Sequence, residues 1–249
     1  MYRPQISISR LLTPLGLAGL LAATAARAYD DGDWQLWLRL AASGNLVGKT
    51  NIQLEEETRM GDDMDEYAEQ HLLGLLYYPL TDWLKVGGGT RTVFARTNRD
   101  IYTAKSSGGE TTYTPVPDGD HYWRQEDRPT IDVTFAKTLA GWLIEDRNWL
   151  EYRMKEGEDD YFRYRNRLQV KAPWKWTRYA INPVVSVEPH YSDKDESPDW
   201  DRVWYTGGVD AKITKLINAG VYYRLQSDKL ADGSHRDYNI LGLMMSLKF

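Results

Sequence analysis

Charged residues at alternate positions are the feature of this sequence with the clearest chemistry. In one central segment Arg163, Arg165, Arg167 and Lys171 recur at even spacing, with uncharged residues between them. Because alternate residues of an extended chain share one face, this spacing predicts a strand with a basic face. Arginine binds carboxylates and phosphates through two parallel hydrogen bonds, so such a face is suited to holding an anion.

Ser186, Glu188 and His190 are the residue types of a hydrolase triad. Along one strand, however, this spacing separates successive members by about 6.6 to 7 Å, beyond the hydrogen-bond reach that a triad needs. The sequence has no cysteine for thiol chemistry. It also has no metal-ligand cluster, phosphate-binding loop or nucleotide fingerprint. We therefore expect no enzymatic activity, no metal and no cofactor.

The elements that must position these residues are strands. Apolar and polar residues alternate along much of the chain, as in Leu241, Leu243, Met245, Leu247 and Phe249, and period-two alternation predicts strands with one apolar face. Most of the segments exceed the five or six residues of an average strand and reach the 9 to 11 of a tilted membrane strand. We predict strands over residues 33–42, 47–59, 66–78, 83–96, 122–137, 141–154, 161–172, 179–191, 201–214, 219–227 and 236–249.

Long strands with charges on one face predict an all-β fold, an antiparallel transmembrane β-barrel with lipid outside and a polar lumen inside. A barrel with both ends on one side of the membrane needs an even number of strands. We therefore predict twelve strands, with one missed within residues 97–121. The alternative is ten, with the first segment inside or beneath the barrel. Asp146, Asn148 and Asn166 fall on the outer face, which suggests a bulge near them.

Both ends of the sequence carry targeting features. Arg3 and Arg10 accompany a short apolar stretch that ends in Ala26-Arg27-Ala28. This predicts a signal peptide over residues 1–28 and a barrel over residues 29–249. Phe249, at the end of an amphipathic strand, is the predicted assembly signal. We expect the outer membrane of a Gram-negative bacterium, with outer-membrane lipid and the barrel assembly machinery as partners. The net charge of −5 argues against nucleic acid.

Three motifs resemble a known family. They are Glu126-Asp127-Arg128-Pro129, the run from Glu145 to Arg153 and the run from Arg163 to Leu168. Together, and with Pro183, Glu188 and Gly207-Gly208-Val209 further on, they resemble the Gram-negative family catalogued as domain of unknown function 2490. The resemblance implies an outer-membrane barrel without a settled activity, so it assigns no functional residue.

The predicted lumen is rich in charge, and basic residues outnumber acidic ones on its face. The basic candidates are Arg147, Arg153, Arg163, Arg165, Arg167 and Lys171, and the acidic candidates are Glu55, Glu57, Glu145, Glu151 and Glu188. An excess of positive charge predicts a narrow channel that prefers small anionic solutes. The alternative is a closed structural or adhesive barrel, filled by ion pairs between neighbouring strands. An outer-membrane hydrolase is the weaker third hypothesis.

Overall fold

The computed structural model describes residues 31–98, 102–107, 110–115, 121–174, 177, 180–194, 199–230 and 232–249. The predicted signal peptide lies outside these residues. The described chain is all-β, and it contains no helix long and apolar enough to cross a membrane. Its strands are β1 (Trp34–Val47), β2 (Thr50–Gly61), β3 (Glu66–Pro79), β4 (Leu84–Asn98), β5 (Tyr102–Ser107), β6 (Glu110–Pro115), β7 (His121–Leu139), β8 (Trp142–Lys155), β9 (Tyr161–Lys171), β10 (Asn182–Ser192), β11 (Asp199–Lys212), β12 (Ile217–Lys229) and β13 (His235–Lys248).

Eleven of these strands close into a barrel in which neighbours in sequence are antiparallel neighbours in space. β5 and β6 pair only with each other, so β4 pairs with β7. The barrel closes through a parallel pair, β1 with β13, in continuous register from Trp34 opposite Asn239 to Ser43 opposite Lys248.

The predicted count of twelve strands, or ten, is therefore wrong for the described barrel. The eleven predicted segments correspond to its eleven strands, and the first one runs parallel to the last. β1 is therefore part of the barrel wall and does not lie in the interior, because it pairs in parallel with β13. The hairpin β5–β6 does lie within residues 97–121 but adds no strand to the barrel.

Side chains alternate between the two surfaces as the pleat requires, with polarity reversed relative to a soluble protein. Leu54, Ile131 and Val185 face outward and are 49%, 59% and 58% exposed, whereas Glu57 and Glu151 face inward and are completely buried. The predicted division into an apolar outer face and a charged inner face is thus present along the barrel wall.

Asp146, Asn148 and Asn166 do face outward, and the pairing of β8 with β9 stays in register past them, so the bulge we expected is not there. Their polar atoms satisfy one another instead. Asn166 Nδ2 donates to Asp146 Oδ1 at 2.6 Å and to Asn148 Oδ1 at 3.1 Å, and Tyr164 adds its hydroxyl at 2.5 Å from Asn148 Oδ1. The described register shifts lie elsewhere, at Asn45, Arg59 and His190.

The barrel has two unlike ends. Short connections follow β1, β3, β7 and β11 at one end, where β9, with its longer connection over residues 172–181, and β13 also finish, and we call this the turn end. At Gly48 and Gly141 its turns have φ of 58° and 84°, a conformation that favours glycine. The opposite end, where β2, β4, β8, β10 and β12 finish and where the longest connection, after β4, lies, is the loop end.

Candidate functional site: the charged interior of the barrel

The basic residues predicted on β9 lie inside the barrel, and each has an acidic partner. Arg163 Nη2 is 2.6 Å from Glu151 Oε2, and Arg165 Nη1 is 3.2 Å from Glu151 Oε1. Arg165 also binds Glu188. The partners come from the strands on either side of β9, because residues on its inner face stand beside those of β8 and β10.

The same pattern continues toward the turn end. Arg167 Nη2 lies 2.5 Å from Glu145 Oε1, and Lys171 Nζ lies 3.1 Å from Asp210 Oδ2 on β11. Glu188 of β10 and Asp210 of β11 therefore neutralise part of the excess positive charge that the sequence predicts for the lumen.

Arg147 and Arg153 of β8 also point inward. Arg153 forms a bidentate pair with Glu126 of β7, and Arg128 binds the same carboxylate at 2.8 Å. Arg147 has a longer ion pair, since its nearest carboxylate oxygen is Glu188 Oε1 at 3.4 Å.

Glu57 and Glu55 form the acidic part of the wall at β2. Glu57 is fully buried and pairs with Arg39 and with Arg59, the latter at 2.7 Å. Glu55 is 3.6 Å from Arg39 and 3.5 Å from Arg91. Arg39 was not among the predicted lumen residues, because the first strand had no place in an even-numbered barrel. Its alternation with Leu38 and Leu40 was the signal that would have found it.

Three tryptophans that sequence reasoning left unassigned fill the middle of the barrel. Trp37, Trp149 and Trp204 come from β1, β8 and β11 and are at most 5% exposed. Trp37 and Trp204 meet edge to face with ring centroids 5.5 Å apart. We call these three residues, with Arg165 and Glu188 between them, the central layer.

Guanidinium groups stack on all three indole rings. Arg59 lies 3.6 Å above the ring of Trp37, Arg224 lies 4.1 Å from that of Trp204, and Arg147 lies 4.3 Å from that of Trp149. Cation–π contacts of this kind strengthen where water is excluded. Each of these arginines belongs to the same strand as the ring that it covers or to the neighbouring strand.

The central layer leaves almost no free space. Side chains from nine of the eleven barrel strands surround a cavity of about 30 Å³, which is roughly the volume of one water molecule in the liquid. Below it, toward the turn end, the interior widens into a cavity of about 370 Å³. We call this the turn-end chamber; it is lined by Arg39, Ala41, Ser43, Gln53, Glu55, Tyr77, Lys85, Glu145, Arg147, Arg167, Gln169, Val184, Ser186, Thr206, Gly208, Val209, Asp210, Gly220, Val221, Tyr222, Arg224, Met244 and Ser246.

The candidate triad residues are divided between these two regions. Ser186 lines the turn-end chamber. His190 is fully buried against Trp204, with ring centroids 4.6 Å apart, and its Nε2 is 3.7 Å from Glu188 Oε1. Among the residues that the structure describes, no group of His, Asp and Glu side chains has the arrangement of a metal site.

Phe249 lies at the closing pair of strands. Its backbone N–H donates to the carbonyl oxygen of Ser43 on β1 at 3.0 Å. The ring covers Gly44, where a Cβ atom would come within 2.5 Å of Phe249 Cδ2. The last residue thus extends the parallel contact by one position beyond β13.

The sequence matches the family described as a protein of unknown function, DUF2490, over residues 34–237. The match covers most of the chain and reaches from β1 to the start of β13, so the protein belongs to this family. The resemblance carried by the arginine-rich strands is confirmed. No curated protein matches the sequence.

Proposed function

We propose that this protein is an outer-membrane β-barrel of a Gram-negative bacterium whose lumen is closed in its resting state. The outer face supports the membrane location. It presents aliphatic residues such as Leu72, Leu150 and Leu243, which are 46%, 42% and 41% exposed. An apolar band of this kind on the outside of a barrel of long strands is what lipid contact requires.

Aromatic pairs near both rims give further support. Trp142 packs against Trp174 at the turn end with centroids 5.5 Å apart, and Trp83 stacks on Phe135 at 6.0 Å.

At the loop end, Tyr67 lies 5.0 Å from Trp123 and Tyr191 lies 5.4 Å from Trp200. Two aromatic belts flanking an apolar band are typical of membrane barrels, because these rings suit the boundary between lipid and water. The belts also explain why tryptophan and tyrosine outnumber phenylalanine so strongly.

The cavity of about 30 Å³ at the central layer carries the proposal that the lumen is closed. A pore that passes hydrated solutes needs a continuous wider path, and this layer is crossed by paired charges and stacked rings. Of the hypotheses drawn from the sequence, the closed structural barrel is therefore favoured. The narrow anion-preferring channel is the second candidate, supported by the excess of basic residues around the turn-end chamber. We propose no catalytic role.

Single-cysteine labelling tests the membrane location. The natural chain has no cysteine, so each added thiol reports on one site. We expect Asp232→Cys at the loop end to react with a membrane-impermeant maleimide on intact cells, and Lys215→Cys at the turn end to react only after lysis. Equal labelling of both sites on intact cells, or of neither site before and after outer-membrane permeabilisation, would contradict the proposal.

Planar-bilayer recording tests the closed lumen. We expect no steady conductance from the purified protein, and steady conductance from a double variant, Trp37→Ala with Trp204→Ala, which removes two rings of the central layer. Trp123→Ala on the outer surface is the matched control and should stay closed. A wild-type barrel that conducts steadily would refute the closed state. If that wild-type barrel also prefers anions, and if changing Arg163, Arg165 and Arg167 to Gln moves the preference toward cations, the protein is the anion-preferring channel.

A further inference from the structure

The turn-end chamber has more positive than negative charge once its ion pairs are counted. Each of its three carboxylates has a basic partner: Glu55 with Arg39, Glu145 with Arg167, and Asp210 with Lys171.

Two basic side chains of the chamber are left without an acidic partner. Lys85 and Arg224 have no carboxylate within 4 Å among the described residues, and Arg147 shares Glu188 with the much closer Arg165. Cations partly withdrawn from water are costly without a counter-ion, so the chamber favours a negative guest.

Buried hydrogen-bond donors around the chamber point to the same conclusion. Arg224 is only 7% exposed, and its Nη1 atom has no hydrogen-bond partner among the described residues. The Nε atoms of Arg147 and Arg167 and the hydroxyl of Tyr222 are likewise buried and donate no hydrogen bond to any described residue. Native proteins rarely leave such groups unpaired. All four atoms belong to residues that line the chamber, and each of them lacks an acceptor among the described residues.

Two of these donors are held in place by their surroundings. The ring of Tyr222 lies over Gly242, where a Cβ atom would come within 1.9 Å of Tyr222 Cζ, and on the other neighbouring strand a Cβ atom at Gly208 would come within 2.7 Å of Tyr222 Cβ. Arg224 is fixed by its stacking on Trp204 and by donation from Nε to Thr206 Oγ1 at 3.0 Å. The site is therefore organised before a ligand arrives, which reduces the ordering that binding must impose.

We propose that the turn-end chamber is a binding site for a small oxyanion with two or three negative charges, carried by carboxylate or phosphate groups. Lys85, Arg147 and Arg224 supply the charge, the arginines present the paired N–H donors that such groups accept, and Tyr222 donates a further hydrogen bond. The central layer closes the chamber toward the loop end, so the ligand enters and leaves through the turn end. In the orientation proposed above, this is the periplasmic side.

Calorimetric titration of the purified barrel in detergent tests the site without depending on conductance or on membrane location. Inorganic phosphate and succinate are the probes, with chloride as the reference anion at equal ionic strength. We expect phosphate or succinate to bind the folded wild-type protein with heat that chloride does not reproduce. The preferred probe identifies which of the two headgroup chemistries the chamber takes.

Three variants locate the binding. Arg224→Gln should weaken affinity by tenfold or more, because it removes a charge and a paired donor. Tyr222→Phe keeps the ring over Gly242 and removes only the hydroxyl, so a loss of about fivefold is expected. Arg202→Gln makes the same change as the first variant in an ion pair at the loop end of the lumen, and should leave affinity unchanged.

Heat-modifiable migration on gels establishes whether each variant is folded. If Arg224→Gln does not fold, the affinity of Tyr222→Phe tests the site instead. Binding of phosphate and succinate no tighter than chloride would overturn the proposal. So would equal affinity in wild type and Tyr222→Phe, or a loss in Arg202→Gln as large as in Arg224→Gln. None of these results bears on whether the lumen is closed, which the bilayer recordings test separately.

Discussion

The ring of Phe249 rests on Gly44. Phe249 follows the last strand of the barrel and Gly44 belongs to the first, and a Cβ atom at Gly44 would lie 2.5 Å from both Cδ2 and the backbone oxygen of Phe249. Only glycine leaves room for this contact. The parallel pair that closes the barrel therefore depends on a small residue in one strand and a large terminal one in the other.

Gly44→Val should weaken barrel closure, since the added atoms would collide with both the ring and the backbone of Phe249. We expect a loss of about 1 to 3 kcal/mol, typical of overpacking, measured as a lower midpoint in denaturant unfolding. Gly207→Val is the matched control, because a Cβ atom at Gly207 meets nothing within 4 Å. An equal loss in both variants would show that valine acts through the strand backbone and not through Phe249.

Deleting Phe249 should reduce the amount of assembled barrel in the outer membrane. The deletion removes the predicted assembly signal, the hydrogen bond to Ser43 and the ring over Gly44. Membrane fractionation with heat-modifiable migration measures the effect, and Phe249→Tyr, which keeps an aromatic ring, should assemble normally. Normal assembly of the deletion variant would show that neither the signal nor the contact is needed.

Glu151→Gln should be strongly destabilising. The carboxylate is completely buried and neutralises both Arg163 and Arg165, so its loss leaves two buried cations short of a partner. Removing one member of a buried ion pair costs about 3 to 5 kcal/mol. Glu156→Gln, on an exposed loop residue, should change the free energy of unfolding by less than about 0.5 kcal/mol. Similar unfolding curves for the two variants would contradict the role given to Glu151.

Glu158 makes a pH-dependent contact at the loop end. Its carboxylate is 2.7 Å from Lys155, 2.9 Å from Arg124 and 3.6 Å from Lys194. Partial burial opposes its charge, but the hydrogen bond from Lys155 and the three cations outweigh burial, so its pKa lies below the ordinary 4.5.

A lowered carboxyl pKa stabilises the fold fully above the ordinary value, and the contribution disappears as the pH falls through the lowered one. The melting temperature of wild type should therefore exceed that of Glu158→Gln above pH 4.5, and the difference should shrink in more acid solution. A difference that grows on acidification would have the wrong sign for this carboxylate.

Alternation predicted much of this architecture because it depends on local geometry. Each predicted strand coincides with a barrel strand, and the face of Arg163, Arg165 and Arg167 follows from the pleat alone. The strand number was misjudged for a physical reason. The even number came from placing both chain ends on one side of the membrane, and period-two alternation contains no information about the direction in which the first and last strands meet.

The partners of the inner charges lie beyond what alternation can predict. Lys171 reaches Asp210 across an intervening strand, and the stacking of Arg224 on Trp204 depends on rotamers and on the relative height of two strands. Neighbouring strand positions can be listed from a sequence, but the stagger around a closed barrel fixes which side chains meet in its centre.

The parallel pairing of β1 with β13 also sets the order in which the barrel can form. Each antiparallel neighbour is joined by a connection near in sequence, and so can pair soon after it is synthesised. The closing pair instead brings Trp34 to Asn239, across nearly the whole described chain, and contacts between such distant residues form slowly. Until then, β1 and β13 each present an open row of backbone donors and acceptors. The final step of assembly is therefore also the one during which the chain is most exposed to pairing with the wrong strand.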